Sequence, residues 1–376
     1  MKPKIDTLTI ERFRVLRQLQ IDGLGRINLI TGRNNTGKSS VLEALRILAS
    51  DASPAVINNI LRYREEDFGE SEEPTRHIDA EGLLQISSLF HGFPQPSDKS
   101  QAIVISAKGR QPSMRLTLEV AWVSEERGQE GQPWRLVPGQ RNLFGESDGI
   151  PALVVETGGV KRILTLDNFR RYGYRGRIFR PDLGDESSLP CVFVSPYGGE
   201  HTATLGVLWD KIALSDLEKD VVEALRIIDP EISAVSMVGP EGPRQQRTAI
   251  VRAGNLPRPV PLRTFGDGLN RLFGIVLSLV NAKNGLLLID EFENGMHHTV
   301  QLDVWRAVFD LSRRLDIQVF ATSHSWDAVE TFQEAAAETP GEGVLVRLSR
   351  KGEAIIPTIF AEDELAIAAR DRIEVR

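Results

Sequence analysis

TGRNNTGKSSVLEAL, residues 31–45, is the stretch that decides the fold. Within it GRNNTGKS, Gly32–Ser39, satisfies G-x-x-x-x-G-K-[ST], between an apolar strand expected at Ile27–Ile30 and a helix in which Val41, Leu42, Leu45 and Leu48 recur at helical spacing. Gly32 and Gly37 let the backbone of a loop that also holds Asn34, Asn35 and Thr36 fold into a concave nest whose N–H groups point at phosphates. The helix N-terminus adds partial positive charge. Lys38 supplies a point cation between β- and γ-phosphates, and Ser39 a hydroxyl for Mg2+. The pattern therefore predicts binding of ATP or GTP with Mg2+.

A second apolar run, LLLIDE at 286–291, ends in two acids. A buried strand fixes Asp290 at its carboxyl end, where the ligand crevice of an α/β sheet lies. Asp290 is expected to hold Mg2+ through water, and Glu291 to act as general base for the attacking water. Downstream, VFATSHS places His324 just after a strand at Val319–Ala321, within reach of the γ-phosphate or of that water. Between these motifs, PLRTFGDGLNRLFGIVLSLV (261–280) sets Gly266, Asp267 and Gly268 at the start of a helix. Such a start is a second anion site, idle within one subunit but useful if it caps the γ-phosphate held by another. The other reading of that stretch is a plain glycine-rich turn and helix cap.

Composition narrows the setting. Of 376 residues 41% are hydrophobic and 26% charged, which suits a globular chain. Cys191 is the single cysteine, so no disulfide framework is available and a reducing, cytoplasmic setting is expected. No apolar run is long enough for a membrane span, and Met1–Glu11 does not read as a signal peptide. A net charge of −7 means that any nucleic-acid surface must be local.

The chain reads as one domain, 1–376, in four parts. Residues 1–50 carry strands and the phosphate loop. Residues 51–190 read as a β-rich insertion with two-residue alternation at Ile103 and Ile105, at Leu116, Leu118 and Val120, and at Leu164 and Leu166, interrupted by polar loops at 65–73 and 124–133. Residues 191–340 alternate strand and helix, including a helical stretch over 203–228, which predicts a mainly parallel sheet covered on both faces. Residues 341–376 read as a hairpin, Val344–Phe360, and a closing helix.

Taken together, TGRNNTGKSSVLEAL, RTFGDGLNRL, LLLIDEFENGMHH and FATSHS resemble the ABC-class ATPase heads of the RecF, SMC and overcoming-lysogenisation-defect (OLD) group. The similarity covers about 1–50 and 190–340. It implies an α/β P-loop NTPase fold, an ABC-type head with a parallel core sheet, an antiparallel β subdomain and a helical lobe. It implies that Gly32, Asn35, Gly37, Lys38, Ser39 and Ser40 cradle phosphates and magnesium, that His324 senses the γ-phosphate, and that Gly266–Gly268 act across a head-to-head homodimer enclosing two ATP molecules. Glu293, Asn294 and Gly295 fall where such heads carry an inter-subunit loop, with His297 or His298 in support. The ENGMHH stretch and the terminal RIEVR are closest to small bacterial ATPases found beside a separate TOPRIM-type nuclease in anti-phage operons. Two departures stand out: Gly266 replaces the usual signature serine, with Thr264 nearby, and the magnesium-coordinating glutamine is not evident, Gln85 and Gln95 being candidates.

One segment breaks the acidic background. Residues 161–181 carry Lys161, Arg162, Arg170, Arg171, Arg175, Arg177 and Arg180 against Asp167, interleaved with Phe169, Tyr172, Tyr174 and Phe179. Guanidinium groups neutralise phosphates and aromatic rings stack on bases, so the segment reads equally as a nucleic-acid surface or a protein interface, with a solvated loop of no binding role as the third reading. Residues 325–376 hold no Asp-x-Asp pair, so DNA cleavage is expected from a separately encoded effector protein rather than from this chain. The leading expectation is an ATPase whose dimerisation controls that effector. A RecF-like repair ATPase binding duplex DNA is the alternative, ahead of a transporter head or a non-hydrolysing scaffold.

Overall fold

The computed structural model describes residues 2–64, 66, 86–92, 102–110, 112–125, 134–137, 150–165, 169, 189–196, 202–239, 247–254, 256–360 and 364. Its centre is a six-stranded sheet. Strand β3 (Ile27–Thr31) lies between β15 (Gly343–Lys351) and β14 (Gln318–Thr322), and beyond β14 come β13 (Leu286–Ile289) and β9 (Cys191–Val194). These five are parallel, and β16 (Ala354–Phe360) closes one edge antiparallel to β15. The expected C-terminal hairpin thus forms and extends the core sheet beside the phosphate-loop strand.

The central strands are buried on both faces, which is why they read as unbroken apolar runs. Leu287 and Ile289 face one core while Leu286 and Leu288 face the other, and Leu29 and Ile30 divide in the same way. The first core is capped by α3 (Thr202–Ile212), α4 (Asp216–Leu225), α5 (Asp267–Asn281), α6 (His298–Arg314) and α7 (Trp326–Ala337), with a small sheet of β10 (Ile232–Val238), β11 (Thr248–Ala253) and β12 (Val260–Pro261). The second core holds α1 (Lys38–Ala49) and α2 (Pro54–Tyr63) under an antiparallel sheet ordered β2 (Leu16–Ile21), β1 (Thr7–Phe13), β4 (Ile103–Lys108), β5 (Met114–Glu125), β7 (Ile150–Thr157) and β8 (Val160–Thr165), with β6 (Trp134–Val137) on β5.

Two local expectations change. The helical stretch over 203–228 is two helices, because Leu214 takes a left-handed φ of 64° and Ser215 is the N-cap that restarts the chain as α4. The region after residue 50 begins with a helix, α2, with Ser53 as its N-cap and Pro54 in its first turn, a start signal that strand alternation further on had obscured.

Buried polar groups set how the layers meet. Asn28, wholly buried in β3, accepts from the Gly25 N–H at 2.8 Å and donates to the carbonyls of Gly25 at 3.0 Å and Val319 at 3.1 Å. Gln318 at the start of β14 bridges to both backbone groups of Ile5. Arg14 and Arg64 both pair with Glu43, fastening α1 to the β1–β2 turn and to the end of α2. Lys4, 3% exposed, pairs with Asp316 at 2.7 Å, and Arg110 pairs with the same carboxylate.

Burial alone would raise the Asp316 pKa, but the hydrogen bonds and charges of Arg110 and Lys4 outweigh it and hold the group at about 2, below its ordinary 3.8. A depressed carboxylate contributes stability above its unfolded pKa and loses it as pH falls through the folded one. The difference in Tm between the native chain and Asp316→Asn should therefore be full at about pH 5 and close as pH approaches about 2; a difference independent of pH would refute the assignment. Asn28→Ala leaves the Gly25 N–H without its partner and should cost roughly 1–3 kcal/mol, read from urea midpoints.

Candidate functional site

Parallel register brings the carboxyl ends of β3, β14 and β13 side by side, with Thr322 opposite Ile30 and Ile289 opposite Ala321. The phosphate loop leaves the first of these strands. Gly32 has φ 142° and Gly37 φ 88°; a Cβ on Gly32 would run into the Leu348 carbonyl of β15, and one on Gly37 would lie 2.7 Å from the Leu16 side chain. Glycine is required at both. Asn35 also takes a left-handed φ of 62°, and Asn34 and Asn35 are exposed at the crest of the loop. Thr36 is buried and donates to the Arg33 carbonyl at 2.8 Å, while Ser40 is buried in the first turn of α1.

Lys38 donates to the carbonyls of Gly32 at 2.6 Å and Arg33 at 3.2 Å. Its pKa is lowered, first by burial; the negative charges of Asp290, Glu291 and Glu293 oppose that effect without cancelling it. The cation and the acids thus face one another across the crevice.

Asp290, 4% exposed, is the meeting point. Its Oδ1 accepts from the Ser39 hydroxyl at 3.1 Å and from the Thr322 hydroxyl at 2.6 Å. Thr322 Oγ1 in turn accepts from the Glu291 N–H at 2.9 Å, and Glu291 has a left-handed φ of 49°. Non-glycine residues take this conformation only where surroundings enforce it. The enforcement comes from both sides: Thr322 holds the N–H, and Arg271 of α5, 2% exposed, donates to the carbonyls of Asp290 and Glu291 at 3.2 Å each and of Ser195 at 2.5 Å. The Glu291 carboxylate is oriented by Asn294, whose Nδ2 lies 2.8 Å from Glu291 Oε2 and 2.8 Å from the Pro196 carbonyl.

The structure therefore assembles Lys38, Ser39, Asp290 and Glu291 in one crevice. His324 stands on the adjoining turn after β14, half exposed, against Glu293. Gly266, with φ 99°, and Asp267 are exposed at the start of α5, and Gly268 lies beside the carbonyl of Gly295. They connect to the crevice through Arg271, one turn along the helix. Within the expected inter-subunit loop, Glu293 and Asn294 point inward, to His324 and Glu291 of the same chain. His297 instead caps α6, accepting from the Thr299 N–H, and its ring packs on His298 at 4.2 Å.

Thr322 and Arg271 were not among the residues expected at the site. Both lie inside the motifs FATSHS and RTFGDGLNRL, and a lone arginine within the apolar face of a helix was the available signal for the second. Gln85 and Gln95 lie outside the described residues, as does most of 161–181. Of that segment, Lys161 pairs with Glu156 and Arg162 with Asp51, while Phe169 is wholly buried and so cannot stack on a base.

Comparison with known proteins agrees with this architecture. A protein-family model described as an AAA ATPase domain matches residues 3–117, which carry the phosphate loop. A second family model, described as "AAA domain, putative AbiEii toxin, Type IV TA system", matches 205–329, which carry the acidic strand and His324. An "ATP/GTP phosphatase" of Helicobacter pylori (strain ATCC 700392 / 26695) is 22% identical over 383 residues, covering 96% of each chain. An uncharacterised protein of Methanocaldococcus jannaschii is 33% identical over 96 residues, 25% of this chain and 83% of that protein. A solved SMC head bound to the C-winged helix domain of ScpA shares the fold with a TM-score of 0.51 at 10% identity, covering 96% of this chain and 98% of that one. The fold is that of a P-loop NTPase, an ABC-type ATPase head, and the two AAA models with the crevice they span make the chain an ATPase.

Proposed function

We propose that this ATPase binds Mg2+ and ATP at the crevice, and that nucleotide-driven head-to-head dimerisation controls a separately encoded effector, a TOPRIM-type nuclease, in anti-phage defence. The observation that carries the nucleotide site is the single Asp290 oxygen shared by the Ser39 and Thr322 hydroxyls at the mouth of the phosphate loop. A hydroxyl and a carboxylate, both hard oxygen donors, fit a magnesium ion that keeps waters and phosphate oxygens as its other ligands. That donor set needs no third acidic or histidine ligand, and among the described residues no group of three or more His, Cys, Asp or Glu suited to a metal occurs. The ion would neutralise phosphate charge; this chain does the rest. Lys38 turns from the Gly32 carbonyl to the β- and γ-phosphates. Glu291, held by Asn294, takes the proton of the attacking water, and His324 contacts the γ-phosphate.

Gly266 and Asp267 are open at the surface, and a Cβ on Gly266 would meet no atom within 4 Å. This suits capping of a nucleotide held by a second copy. The toxin–antitoxin wording attached to the family model over 205–329 and the OLD-like ENGMHH stretch favour a defence role over RecF-like repair. The pairing of Lys161 and Arg162 with acids of this chain removes part of the support for the duplex-binding alternative. Among the described residues no helix is long and apolar enough to cross a membrane.

Glu291→Gln should lower phosphate release about 100-fold or more while ATP binding persists, and ATP should then trap a dimer in sedimentation. Hydrolysis at the parent rate would overturn the base assignment. Lys38→Ala should lose nucleotide binding in the same assay series. Tagged chain expressed with its genomic neighbours should retain an adjacent gene's nuclease in an ATP-dependent way; a chain that stays solitary with and without ATP would sink the effector reading.

A further inference from the structure

Glu293 stands on the loop between β13 and α6, with its side chain 10% exposed. Its Oε1 accepts the backbone N–H of His324 at 3.0 Å and that of Ser325 at 3.1 Å, and lies 3.2 Å from His324 Nδ1. Its Oε2 is buried without a hydrogen-bond partner. Taking a carboxylate out of water is costly and is sustained by strong donors on the oxygen that has them. Both backbone N–H donors on Oε1 belong to the His324 turn, and the group that stands beside them at 3.2 Å is the imidazole of that same turn. The same turn is fixed to the core by the Ser323 N–H, which donates to the Ile30 carbonyl at 3.0 Å. Only the imidazole reaches outward, 52% exposed.

We propose that Glu293 is the positioning residue for His324: it fixes the turn through two backbone amides and takes the Nδ1–H, so that Nε2 is the nitrogen presented to the nucleotide. A histidine with one ring nitrogen bound to a carboxylate has its tautomer and ring orientation set by that bond. Without it, the half-exposed ring is free to rotate and to exchange tautomers with water. Glu293 thus serves the crevice of its own subunit. The inference rests on the reading of His324 above and adds the residue that makes the side chain competent.

The test reads the ring directly and then the reaction. Nitrogen-15 spectra of the histidine-labelled, nucleotide-free full chain, with His324 assigned by comparison with His324→Ala, should show Nδ1 carrying the proton. In Glu293→Ala the same ring should shift toward the Nε2–H form; identical spectra would overturn the proposal. Glu293→Gln keeps an oxygen acceptor in place, so it should fold, retain the Nδ1–H form and recover most of the turnover that Glu293→Ala loses. In ATP hydrolysis, Glu293→Ala should lower kcat by about ten- to a hundred-fold with KM little changed, and should cost nothing further when added to His324→Ala. Additive losses would overturn the proposal by showing an action not routed through the imidazole. Should His324→Ala itself hydrolyse ATP at the parent rate, the reading of His324 fails, and the ring spectra still decide whether Glu293 sets the tautomer.

Discussion

The two hydrogen bonds on Asp290 Oδ1 are what the rest of the site depends on. One comes from Ser39 at the start of α1, the other from Thr322 at the end of β14. Residues so far apart in the chain meet at one oxygen because three parallel strands lie in register with both faces buried. A one-residue slip of β13 or β14 would turn Leu287 and Ile289, or Val319 and Ala321, into the wrong core. Hydrophobic patterning on the two faces thus fixes where the acid stands relative to the phosphate loop. Asn28 and Gln318 reinforce that register from within, since their buried amides are satisfied only when β3, β14 and the segment at Ile5 ahead of β1 align as they do.

A strained residue stands directly beside this point. Glu291 departs from the β13 strand with a left-handed φ, and the backbone groups on either side of its Cα are held, the N–H by Thr322 and the carbonyl by Arg271. Arg271 also reaches the carbonyl after β9 and stands on the helix that begins at Gly266. A buried guanidinium with its donors on three carbonyls is therefore the mechanical link between the exposed start of α5 and the acidic loop. Its charge has favourable company: these carbonyls are dipoles that point their negative ends at it.

Much of the framework was legible along the chain. G-x-x-x-x-G-K-S needs glycine where Gly32 would otherwise strike β15 and Gly37 would strike Leu16, so that motif carries its own geometry. LLLIDE and the FATSHS strand are short apolar runs ending in polar residues, which is how doubly buried parallel strands read. The break at Leu214 was not read, although Ser215 and Glu218 have the spacing of a capping box, because nothing in residues 203–228 forbids a continuous helix. Nor was α2, whose start signal at Ser53–Pro54 sits just ahead of a segment dominated by strand alternation. Phe169 looked like one of several surface aromatics in a basic segment; its burial depends on a core assembled from other parts of the chain.

By itself the sequence determined the phosphate loop, the acidic strand end and the apolar strands that carry them, because each of these is set by local spacing of glycine, apolar and charged residues. Tertiary structure alone decided which side chains hold Asp290, Glu291 and His324. Thr322 with Asp290, Arg271 with the Glu291 backbone, Asn294 with the Glu291 carboxylate and Glu293 with His324 are contacts of direction and distance. Residue spacing could place Glu293 and Asn294 on the same loop, but not say which way each would face. That choice was made by packing: the loop leaves β13 at a left-handed turn, and its polar side chains satisfy buried partners of their own subunit.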